Sequence, residues 1–98
     1  MKQPSTDGTC VELLKALADD TRMAVVEQLM QGPRHVAEIN QELRIDATLL
    51  SHHLRVLRSA GIVEGKRVGK RIRYSLTPAM TCKDGRAVDL GCCSISFK

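Results

Sequence analysis

The stretch Asp46–Gly61, D-A-T-L-L-S-H-H-L-R-V-L-R-S-A-G, decides how the rest of this 98-residue chain is read. Leu50, Leu54 and Leu57 recur at i, i+4 and i+7, so a helix presents them on one buried face. Thr48, Ser51, His52, Arg55 and Arg58 project elsewhere. These are the polar and cationic types that bond phosphates and base edges. Asp46 can cap the start and Gly61 can end it. The expectation is a DNA-recognition helix. His53 flanks the apolar face and reads as structural, since adjacent helical histidines point about 100° apart and chelate one ion poorly.

The residues before this helix form a partner for it. Val36, Ile39 and Leu43 predict a helix from about Val36 to Leu43, preceded by the weak cap His35 and followed by the short turn Arg44-Ile45. Two helices across so short a turn are a helix-turn-helix. Upstream, Asp19 or Asp20 caps a helix running to Gln31, with Met23, Val26, Leu29 and Met30 inward, stopped by Gly32-Pro33. Thr9-Cys10-Val11-Glu12 has the form of a capping box for a helix ending near Ala18. That helix carries more apolar surface (Val11, Leu13, Leu14, Leu17) than one core face needs, which points to a subunit contact.

After Gly61 the period changes from 3.6 to 2. Ile62–Val68 and Arg71–Leu76 flank Gly69-Lys70, a β-hairpin with a glycine turn. Ile72, Tyr74 and Leu76 point one way, Arg71, Arg73 and Ser75 the other. Thr77-Pro78 opens a helix of a turn or two at most. Arg86–Lys98 reads as extended, with Val88, Leu90 and Cys92 on one side and Ile95 and Phe97 on the other. The predicted fold is α+β and mainly helical: a winged helix-turn-helix with a two-stranded β-wing, a shortened C-terminal helix and an extended cysteine-bearing tail. Residues 1–8 read as a disordered tail, 9–78 as the DNA-binding domain, and 79–98 as a C-terminal tail holding a thiol site.

Charge agrees with a polyanion as partner. Fifteen Lys and Arg against eleven Asp and Glu give a net charge of +4. The excess is concentrated: Arg55, Arg58, Lys66, Arg67, Lys70, Arg71 and Arg73 face a single acid, Glu64, over that span. With no Trp, one Tyr and one Phe, the core must be aliphatic, and a thin aliphatic core gains from dimerisation. No apolar run approaches a membrane span and no signal-peptide core opens the chain, so a cytoplasmic protein is expected. No Ser-His-Asp set, paired carboxylates or phosphate-binding glycine loop points to an enzyme, and no cofactor is required.

A-L-A-D-D-T-R-M (16–23), S-H-H-L-R-V-L-R-S-A-G-I-V (51–63) and G-K-R-I-R-Y-S-L (69–76) resemble the arsenic-repressor (ArsR/SmtB) family of winged-helix regulators over roughly residues 10 to 78. The resemblance implies a homodimer on a double-stranded operator, an inverted repeat, released by a metal ion, a metalloid or a thiol oxidant. It assigns DNA-facing positions to Thr48, Ser51, His52 and Arg55, and wing positions to Lys66, Arg67, Lys70 and Arg71. The chain departs from the pattern at the sensor. It lacks a cysteine pair at the start of the helix-turn-helix, and its tail lacks the helix length and histidines of zinc and nickel sensors.

Four cysteines remain: Cys10, Cys82, Cys92 and Cys93. In the expected compartment they are reduced thiols by default. Cys10 has a bland reading as a small hydrophobe, and Lys83 beside Cys82 favours its thiolate. In a regular strand the Cys92 and Cys93 sulfurs point to opposite faces. If Gly91 bends the chain, both can reach one soft ion, with Cys10 or Cys82 as a third thiolate. A vicinal disulfide or a persulfide bridge is the oxidative alternative. The sequence therefore reads as a DNA-binding repressor released by thiol chemistry, with arsenite or another soft ion favoured as inducer. A redox-sensing repressor is the alternative, and a winged-helix protein-interaction module without an operator is the alternative from another class.

Overall fold

The computed structural model describes residues 8–82 and 85–97. Four helices come first: α1 (Gly8–Leu17), α2 (Asp20–Leu29), α3 (Val36–Leu43) and α4 (Ala47–Ser59), with the two-residue strand β1 (Arg34–His35) before α3. The wing follows as β2 (Val63–Val68) and β3 (Arg71–Leu76), then a single 3-10 turn at Pro78–Met80. The chain closes with β4 (Ala87–Asp89) and β5 (Ser94–Ser96). The reading of residues 1–8 as a tail lies outside the described residues except at Gly8, which opens α1. Thr9 is therefore inside that helix and not its cap.

Local chemistry sets the helix ends. Asp19 caps α2 by accepting from the Arg22 backbone N–H at 3.0 Å, and Asp46 caps α4 by accepting from Thr48 and Leu49. Glu38 accepts from the His35 N–H at 2.8 Å, the return half of a capping box at the start of α3. At the end of α4, Gly61 takes φ +81°. Ile62 N–H reaches Leu57 O and Gly61 N–H reaches Arg58 O, the paired bonds of a Schellman motif.

The turn of the helix-turn-helix is held by a residue the sequence reading passed over. The Asn40 side chain donates to Ile45 O at 2.9 Å and accepts from Ile45 N–H at 3.0 Å. Between them Arg44 adopts the left-handed region at φ 54°. The amide thus bonds both backbone groups of the residue that leaves the turn, and fixes the angle at which α4 departs.

Ile39, Leu50, Leu54, Leu57, Ile62, Val25, Val26, Val63 and Val88 are the largest fully buried side chains. On α2 the inward face is Val25, Val26, Gln28 and Leu29, while Met23 and Met30 only flank the core. Gln28 tolerates burial because it donates to Ile39 O and accepts from Arg34. The hairpin gains a third strand that two residues could not announce: β1 pairs antiparallel with β3, giving the order β1-β3-β2.

The tail differs most from expectation. It is not one extended strand but a hairpin, β4 against β5, with Val88 opposite Ile95. Opposed residues share a face, so these two lie together and not on opposite sides. Gly91, at φ +88°, reverses the chain. Val88 and Leu90 are buried, and Val88 also bridges to Thr81.

Candidate functional site

Two sites take shape, one cationic and one made of sulfur. On α4, Thr48, Ser51, His52 and Arg55 are all exposed, while Leu50, His53, Leu54 and Leu57 are buried. Positions 48, 51, 52 and 55 follow i, i+3, i+4, i+7, so they occupy one outward stripe.

His53 explains how the stripe is held. Its Nδ1 lies 3.2 Å from an Arg22 guanidinium nitrogen and 3.8 Å from Asp19 Oδ2. A guanidinium only donates, so Nδ1 accepts there. Arg22 also donates through Nε to Ala16 O at 2.6 Å. One arginine thereby joins the end of α1, the start of α2 and the buried side of α4. Asp19 belongs to the same knot: the Arg22 backbone N–H holds its carboxyl below the usual range against the opposing effect of burial, and the nearby Arg22 charge acts in the same direction as that bond. The A-L-A-D-D-T-R segment is thus the brace behind the helix.

The wing distributes its cations by register. Gly69, at φ +65°, stands first in a two-residue turn, the type II′ position for glycine. Lys66 lies opposite Arg73 and Val68 opposite Arg71, whereas Arg67 lies opposite Ile72 and Gly65 opposite Tyr74. Lys66, Arg71 and Arg73 therefore share one exposed face, Arg67 points to the other, and Lys70 sits at the tip. Arg73 belongs with the wing cations named from sequence. Like charges directly opposed are unfavourable on a free sheet; an anion between them reverses that.

An open groove of about 910 Å³ separates α1 from α4. Thr9, Glu12 and Lys15 line one wall and His52, Arg55 and Ser59 the other. α1 also exposes Val11 and Leu14, each 43% accessible, on the face away from the core.

The sulfur site sits at the other side of α1. A disulfide joins Cys10 to Cys92 across 82 positions, with the Cα atoms 6.2 Å apart. The default expectation of four reduced thiols is corrected there, as is the vicinal disulfide. Cys93 is a free, exposed cysteine whose Sγ lies 3.9 Å from that of Cys92. The three sulfurs of Cys10, Cys92 and Cys93 are all within 4.8 Å of one another. Cys82 is free, half-buried and outside the cluster. Turn geometry makes this possible: Leu90 N–H donates to Cys93 O at 2.8 Å, so Cys92 lies in the bend and strand alternation does not separate the pair. The vicinal pair was the visible signal; nothing local in the sequence marks Cys10 as its partner.

A helix-turn-helix carrying a cationic two-stranded wing defines a winged-helix regulator. Residues 19–65 match the model of the "Bacterial regulatory protein, arsR family", and the chain belongs to the ArsR family. It is 43% identical over 65 residues to the HTH-type transcriptional repressor SmtB of Mycobacterium tuberculosis, covering 66% of this chain and 48% of that protein. The transcriptional repressor BigR from Xylella fastidiosa superposes with a TM-score of 0.66 at 41% identity, covering 71% of each chain. Reduced HlyU from Vibrio cholerae gives 0.67 at 27% identity, over 79% of this chain and 77% of that one. The chain spans about half the length of the curated relative SmtB. Among the described residues no helix is long and apolar enough to cross a membrane.

Proposed function

We propose that this protein is a dimeric transcriptional repressor that binds an operator and is controlled by the redox state of Cys10 and Cys92. The single observation that carries the reading is the Cys10–Cys92 bond, because it ties the tail to the helix that lines a groove with His52 and Arg55. In the reducing compartment expected from sequence, a disulfide is a switch more readily than a staple. The similarity to a repressor named BigR, and to a HlyU structure specified as reduced, supports repression and a redox-dependent state.

Thr48, Ser51, His52 and Arg55 are the groove-reading residues in this account. Lys66, Arg67, Lys70 and Arg71, with Arg73, hold phosphates. Phosphate contacts add affinity and salt dependence but little sequence discrimination. The exposed Val11 and Leu14 face of α1 supplies the subunit contact. Two recognition helices related by a two-fold axis read half-sites about one helical turn apart, hence an inverted repeat. Arsenite or another soft ion is the second inducer class, favoured by the clustering of three sulfurs.

Selection from random duplexes with the reduced protein tests the DNA-binding part. An inverted repeat should emerge, bound with a steep salt dependence, and Arg55→Ala should weaken it roughly tenfold or more. A flat salt dependence with no sequence preference would instead favour the protein-interaction module.

A further inference from the structure

Leu49 is an apolar residue that neither the core nor the proposed subunit contact uses. Among the described residues five large apolar side chains stand exposed: Val11 and Leu14 on α1, Val68 and Ile72 in the wing, and Leu49 on α4, 45% accessible. Successive helical residues point about 100° apart, so Leu49 cannot join Leu50, Leu54 and Leu57 on the core face, where all three are buried. A single exposed leucine is ordinary on a protein surface. This one lies in the first turn of the proposed recognition helix, the part of such a helix that meets base edges. Thr48 precedes it, and His52 stands three residues on, a neighbour on the helix surface.

The cap limits what this turn can contact. Free N–H groups at a helix start attract phosphate. Here the N–H groups of Thr48 and Leu49 donate to Asp46 Oδ2 at 2.9 and 3.3 Å, and the carboxylate in front of them repels a second anion. The same two bonds fix the backbone from which the Leu49 side chain projects. The first turn therefore offers DNA its side chains in place of backbone donors, and the leucine neither donates nor accepts a hydrogen bond. Base edges in the major groove display donors, acceptors and one apolar substituent, the thymine 5-methyl. Against a donor or acceptor the leucine would strip water and return no bond, at a cost in affinity. Against the methyl it buries apolar surface on both partners.

We propose that Leu49 is a specificity residue that reads a thymine in each half-site through its 5-methyl group. The inference rests on the repressor reading above and adds to it a base contact made without a hydrogen bond. Thr48 also carries a methyl and is the competing reader, so the test separates the two. Burial of one methyl group corresponds to about a fourfold change in affinity.

The operator selected by the reduced protein is resynthesised as a set of duplexes, each with a single thymine replaced by deoxyuridine, which keeps the base pairing and lacks only the methyl. Binding of the full chain as wild type, Leu49→Ala and Thr48→Ser is measured by fluorescence anisotropy at fixed salt, and thermal unfolding checks that both variants fold. At one position in each half-site the replacement should weaken wild type about fourfold. Thr48→Ser should keep that loss and Leu49→Ala should not show it. Indifference of wild type to every replacement would overturn the proposal, and so would a loss that Leu49→Ala retains. Failure of the selection to yield any preferred sequence would overturn the repressor reading and this inference with it, and it is seen before any thymine is replaced.

Discussion

Helix α4 and the cysteine hairpin are held in the molecule by different means. α4 is fixed by short-range chemistry and by a face of four buried residues: an Asp46 cap, a Gly61 Schellman end, and the Arg22–His53 contact behind it. The β4–β5 hairpin offers three-residue strands that bury only Val88 and, just beyond β4, Leu90, and it is bound to α1 by one covalent bond. In the proposed repressor α4 reads DNA and needs a rigid scaffold, because a small displacement of its side chains loses the base edge. The proposed sensor needs the reverse, a connection that one chemical step can make or break.

Reduction should separate the two regions most strongly. The bond closes a loop of 82 positions, and chain entropy assigns such a loop a stabilisation on the order of 4 kcal/mol. Thermal unfolding of the oxidised protein should therefore occur well above that of the reduced protein, and Cys10→Ser should remove the difference. Hydrogen exchange would then show the hairpin losing protection before α4 does. Uniform loss across the chain would erase the contrast between scaffold and sensor.

Within the scaffold, Gly65→Ala probes the seat of the wing. A Cβ there would lie 3.0 Å from the Tyr74 ring, and Tyr74 is buried on the core side of β3. A cost of about 1–2 kcal/mol is expected from the forced displacement, measurable by urea denaturation and independent of redox state.

A smaller effect concerns the brace. Asp19 has a folded-state pKa below its ordinary 3.8, so its cap and charge stabilise the protein fully above the unfolded value. That contribution fades as pH falls through the folded value. Asp19→Ala should cost about 1 kcal/mol at neutral pH. The deficit should shrink as both proteins are taken below about pH 4, and a deficit independent of pH would mean that the carboxylate charge contributes nothing.

The same contrast governs what could be read from sequence. The bounds of α3, the Asp46 cap, the wing turn at Gly69 and the structural role of His53 follow from contacts a few residues apart or from a repeating period. Asn40, β1 and the Arg22–His53 knot do not, because each depends on partners across the fold and carries no period of its own. The tail shows this most sharply. A glycine between two apolar pairs permits either a bend or a hairpin, and only packing of Val88 and Leu90 against the core chooses the hairpin. The vicinal cysteines are visible as a pair, but a disulfide partner 82 positions away cannot be chosen until the chain has folded.

The central claim is that the bond at Cys10 is felt at α4. Operator affinity measured for oxidised and reduced wild type, beside Cys92→Ser under both conditions, tests it directly. Oxidation should weaken wild-type binding by roughly tenfold, about 1.4 kcal/mol, and leave Cys92→Ser unchanged. Equal affinity of oxidised and reduced wild type for the operator would contradict it.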